Sequence, residues 1–147
     1  MNIGSFIASE KETYGIFFDN YAQSVTDDFK NKYNSLREVV EKKTLPLMYE
    51  NALKTSKLKH SQIKFLPPII NPTKIICIGM NYRKPYPIDG QSISNPKNII
   101  LFSKNSEAML AHLGSLEIPF GDAADTFDYE GEIAVVIGAT ARNVSVS

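Results

Sequence analysis

The chain has 147 residues, 43% of them hydrophobic, with 16 Lys+Arg balanced against 16 Asp+Glu. That length supports one domain, or one with a small appendage. The balanced charge gives no electrostatic ground for nucleic acid or an anionic membrane as partner, and no run approaches the roughly 20 apolar residues of a spanning helix. The lone Cys77 cannot close an intramolecular disulfide. The first residues lack the basic and apolar regions of a signal peptide, so a cytoplasmic protein is expected.

Residues 1–70 read as a small α/β module. Ile3, Phe6 and Ile7 begin a strand, and Tyr14 to Phe18 form a second, with Glu10 to Thr13 as the turn between them. Tyr21 to Val25 read as a third strand after the turn at Asp19 and Asn20. From Ser35 the period becomes helical, with Leu36, Val39 and Val40 as a core-facing stripe among charged residues. Pro46 fits the first turn of a second helix carrying Leu47, Met48, Leu53 and Leu58. Pro67, Pro68 and Pro72 favour extended backbone and mark a domain boundary near residue 70.

Residues 71–147 read as the start of a β-rich domain. Lys74 to Gly79 is a short apolar run of strand length, expected to be buried on both faces. Residues 84–98 are rich in Pro, Gly, Ser and Asn and read as loop. Asn98 to Lys104 reads as the next strand, with Lys104 at its end, and Glu117 to Gly121 as a short edge segment. Asp128, Glu130 and Glu132 then occupy alternate positions before the apolar run Ile133 to Ile137. In an extended strand these three carboxylates share one face. Such a face is either solvated or occupied by a hard divalent cation, because Mg²⁺ and Ca²⁺ prefer carboxylate oxygens and Mn²⁺ accepts them. His60 at a helix end, His112 in a loop and Cys77 in an apolar strand read as structural residues. The glycines form no phosphate-binding pattern ahead of a helix. The fold class is therefore α+β and β-rich.

Five fragments in order resemble the fumarylacetoacetate hydrolase superfamily. They are Phe65 to Pro68, Pro72 to Tyr82, Ile100 to Lys104, Ile118 with Pro119, and Asp128 to Gly138. The resemblance implies a small N-terminal domain over residues 1–70. Over 71–147 it implies the opening of a catalytic domain of β-sandwich or roll type, incomplete at this length. It also implies a divalent metal (Mg²⁺, or Mn²⁺ or Ca²⁺), a small oxo-acid substrate, and hydrolysis, decarboxylation or isomerisation. Intact relatives are expected to be homodimers. Carried over by position, Glu130 and Glu132 match the metal-binding glutamates, Lys104 matches a lysine facing the active-site region, and Asp128 matches a recurring aspartate of open role.

Two departures bear on chemistry. Pro85 and Ile88 stand near the positions where active relatives carry a His and a Glu that move protons. A third metal carboxylate, which the resemblance places further downstream, has no counterpart before Ser147. A shortened chain, catalytically impaired alone, is the resulting expectation. The alternative is a non-catalytic fragment that pairs with another chain through an exposed sheet edge.

Overall fold

The computed structural model describes residues 1–81, 96–129 and 131–146. The fold is α+β and β-rich. The chain divides into two compact units, residues 1–70 with 110–147, and residues 71–109.

The first unit is built on an antiparallel sheet. Its strands are β1 (Asn2–Ala8), β2 (Lys11–Phe17), β3 (Tyr21–Ser24), β4 (Leu58–Lys59) and β5 (Ile63–Phe65), in the order β4-β3-β2-β1-β5. Ala8 pairs with Lys11, so the β1–β2 turn is only Ser9-Glu10 rather than the longer turn the sequence suggests. Both turn residues have positive φ, 48° and 63°. That is the geometry of a two-residue turn whose twist matches the strands, here held without glycine.

Three helices cover one face. Helix α1 (Asp27–Lys32) has no apolar stripe to announce it, but Thr26 caps it by accepting the Phe29 N–H, with Asp27 and Asp28 in its first turn. Helix α2 (Leu36–Glu41) starts at Ser35, whose hydroxyl accepts from Glu38 N at 3.3 Å. Helix α3 (Leu45–Ala52) has its proline in the first turn, as expected, and is shorter than the spacing of Leu53 and Leu58 suggests. Leu58 instead enters β4, which pairs with β3 at Tyr21↔Lys59.

Strand alternation sends Tyr14 and Ile16 to the helical face, where they pack with Val25, Leu36, Val39, Met48 and Ala52. This is the buried core, and the Leu36/Val39 stripe forms part of it as its spacing indicates. The opposite face carries Phe6, Phe17 and Phe65, with Phe6 edge-on to Phe17 at 5.3 Å and Phe17 stacked on Phe65 at 5.7 Å. His60 lies beside both Phe17 and Phe65, and His112 meets the Phe65 ring edge-on at 4.9 Å. His60 opens a single 3₁₀ turn (His60–Gln62), not a helix end.

The second unit is a two-stranded antiparallel ribbon of β6 (Ile75–Gly79) and β7 (Ile100–Lys104). Opposed residues share a face, which puts Ile76, Ile78 and Leu101 on one side and Ile75, Ile100 and Phe102 on the other. β6 is not buried on both faces as its apolar sequence suggests: Ile76 is 61% exposed, and every β7 residue is exposed. Among the described residues β6 and β7 pair only with each other, and two strands alone cannot bury both of their faces.

Candidate functional site

The antiparallel register fixes where Lys104 stands. Ile75 pairs with Lys104, and Gly79 pairs with Ile100. Lys104 is therefore at the end of the ribbon where β6 begins. Gly79, which leads into Asn81, is at the other end, about 13 Å away at strand rise. Met80 bridges to Asn81 in the left-handed region, with φ 52°. A non-glycine residue there is strained by roughly 1–2 kcal/mol. Pro85 and Ile88, the expected replacements of the proton-moving pair, lie outside the described residues.

Around Lys104 the chain forms a cavity of about 340 Å³ lined by Pro72, Thr73, Lys74, Ile75, Lys104, Asn105, Ser106 and Glu107. Lys74 and Lys104 are both exposed there, and neither has an ion-pair partner among the described residues. The family resemblance points to Lys104 and not to Lys74. Only the pairing register brings Lys74 to the same end of the ribbon, and a register is not visible in the sequence before the strands are paired.

The acidic segment belongs to the first unit. Glu130 lies outside the described residues. Asp128 and Glu132 are exposed, and Asp128 Oδ1 accepts the Tyr129 N–H at 2.8 Å. The strand expected here is not formed: residues 131–137 have no ladder partner among the described residues, and Ile133, Val135 and Ile137 are each more than three-quarters exposed. Extended backbone without a neighbour leaves its N–H and C=O groups to water and has nothing to hold it as a sheet. Glu117 to Gly121 likewise forms no strand. Instead, Gly121 adopts φ 69° and precedes the short helix α4 (Asp122–Asp125).

Among the described residues no three His, Cys, Asp or Glu side chains gather to hold a metal ion. The described carboxylates do not by themselves make a complete donor set for a divalent cation. No described helix is long and apolar enough to cross a membrane. Cys77 is free and half-buried on β6, and His112 is a loop residue packed on Phe65.

The family model described as fumarylacetoacetate (FAA) hydrolase C-terminal matches residues 74–147. Similar proteins include a mitochondrial oxaloacetate tautomerase of Xenopus laevis, 37% identical over 109 residues, which is 66% of this chain and 32% of that protein. An oxaloacetate tautomerase of Bacillus subtilis is 36% identical over 86 residues, 58% of this chain and 28% of that one. An uncharacterized protein of Archaeoglobus fulgidus is 42% identical over 85 residues, 56% of this chain and 31% of that one. The chain thus spans about a third of the length of these curated relatives. No solved structure matches it.

Proposed function

Because the chain belongs to the fumarylacetoacetate hydrolase family, whose model matches half of it, we propose that it carries part of the machinery for small, enolisable oxo-acids. The observation that carries this reading is the match over residues 74–147, which spans Lys104, Glu130 and Glu132, together with relatives named oxaloacetate tautomerases. In this proposal Glu130 and Glu132 contribute two carboxylates to a divalent cation, Mg²⁺ or else Mn²⁺ or Ca²⁺. Two carboxylates are compatible with Mg²⁺, which keeps several waters, but hold it weakly. Lys104 supplies a fixed positive charge toward the oxo-acid. The compartment proposed is the cytoplasm, supported by the single unpaired cysteine.

The chain alone is proposed to be catalytically impaired. Moving a proton between carbon and oxygen needs a group with a titratable proton, and neither Pro85 nor Ile88 has one. The test is ultraviolet-monitored keto–enol exchange of oxaloacetate by the purified chain with Mg²⁺, beside Mn²⁺ binding followed by electron paramagnetic resonance. The expected result is no exchange above buffer, and weak Mn²⁺ binding that Glu130→Ala and Glu132→Ala both remove. Exchange that exceeds that of Glu130→Ala would overturn the proposed impairment, and Mn²⁺ binding untouched by both variants would overturn the metal roles.

A second reading rests on the uncovered ribbon. Ile76, Ile78, Leu101 and Phe102 are all exposed on β6 and β7, and such strands accept another strand by edge addition. The chain would then be a non-catalytic module that pairs with another family chain. Size-exclusion chromatography with the Bacillus subtilis relative tests it, and absence of any mixed species would remove this reading.

A further inference from the structure

We propose that Lys74 and Lys104 together hold a small carboxylate anion in the cleft at the end of the β6–β7 ribbon. The proposal rests on pairing rather than on sequence proximity, since thirty positions separate the two lysines and only the Ile75↔Lys104 register places them at one end. Strand alternation assigns them to opposite faces of the ribbon, yet both line one cavity. That cavity, about 340 Å³, is an open depression: Thr73, Lys74, Lys104, Asn105, Ser106 and Glu107 are all exposed, so it suits a small, hydrated anion.

Its lining has the composition an anion requires. Two ammonium groups supply charge, and the Thr73 and Ser106 hydroxyls and the Asn105 amide supply neutral donors. Among the described lining residues Glu107 is the single acid against two lysines, which makes that lining net positive. Neither lysine is consumed by an ion pair among the described residues, so both charges are available to a ligand. Lysine meets an anion as a point charge rather than a planar fork, so carboxylate and phosphate share this chemistry. The carboxylate is the one chosen because Lys104 is the residue assigned to the oxo-acid above. For the identity of its natural ligand the inference rests on that reading. Lys74 is a binding residue here, and no proton transfer is assigned to it.

The test uses the full chain, uniformly ¹⁵N-labelled and free of divalent metal, titrated with malonate as a stable dicarboxylate and in parallel with inorganic phosphate. The expected result is saturable amide shifts confined to residues 73–75 and 104–107. Lys74→Ala and Lys104→Ala should each weaken malonate about fivefold, the scale of losing one exposed charge contact. Lys74→Arg should restore binding, and Lys97→Ala, on an exposed lysine outside the cleft, should leave it unchanged. Shifts that grow without saturation, or that appear equally at Lys97, would overturn the site. Unchanged affinity in Lys74→Ala would remove Lys74 from it, and phosphate binding tighter than malonate would overturn the carboxylate assignment. Because metal is absent, failure here leaves the Mn²⁺ experiment at Glu130 and Glu132 standing, and failure there leaves this cleft standing.

Discussion

Tyr14 concentrates several residue-level effects in one side chain. Its ring is 2% exposed in the core, and its hydroxyl donates to the Tyr33 carbonyl. Burial pushes the phenol well above its ordinary range, helped by the nearby Glu38 and Tyr33. The fold therefore holds the neutral form. Its contribution is full below the unfolded value of about 10 and is lost as pH rises through the higher folded value. Melting temperature should fall as pH rises above about 10, and Tyr14→Phe should flatten that fall. The same variant should cost about 1–2 kcal/mol at neutral pH, since the Tyr33 carbonyl loses its donor. A urea titration at neutral pH and a thermal pH series check both. Tyr14 was legible as a strand residue, and its inward direction came only with the sheet. Its partner was not, because Tyr33 lies beyond a helix that only a Thr cap and two acidic residues announce.

At the scale of elements, the best-read pieces are those whose residues carry a period. β1, β2, β3 and α2 follow from alternation or from the Leu36/Val39 stripe, and Pro46 marks the start of α3. The two-residue strand β4 and three-residue β5 are too short to show a period, and they exist because β3 and β1 offer them free edges. Apolar content misled in the opposite direction at Ile133 to Ile137, where a strong β-forming run has no neighbour to pair with among the described residues. Among the candidate site residues, Lys104 was visible at a strand end, whereas Lys74 needed the register. One position tests the β2–β3 contact directly. A Cβ at Gly15 would sit 2.0 Å from the Gln23 carbonyl oxygen, which is backbone and cannot swing aside. Gly15→Ala should therefore cost about 3 kcal/mol, read from the urea midpoint. Gly131, around which a Cβ meets nothing within 4 Å, should tolerate alanine with little change.

The two units of the whole molecule differ in what covers their apolar surface. The first has a sheet with helices on one face and an aromatic cluster on the other, and its buried Ser5 and Gln23 both find carbonyl acceptors, at Pro68, Leu53 and Thr55. The second exposes Ile76, Ile78, Leu101 and Phe102 from two strands. Exposed apolar strands of this kind drive association. Ile76→Lys with Leu101→Lys should reduce self-association and binding of an apolar dye, while leaving the urea midpoint of the first unit unchanged. Light scattering and dye fluorescence report the first effect, and tyrosine fluorescence in urea reports the second.

The strand order β4-β3-β2-β1-β5 also bears on how the chain emerges from a ribosome. Strand β1 is made first but is flanked on both sides, and its second neighbour, β5, ends only at Phe65. During vectorial synthesis, a β1–β2–β3 meander can close early while one side of β1 waits for a segment some sixty positions later. Until that segment arrives, Phe6 lacks its Phe65 partner. Nascent chains arrested short of Phe65 should thus be captured by holdase chaperones, and chains extended past it should escape them.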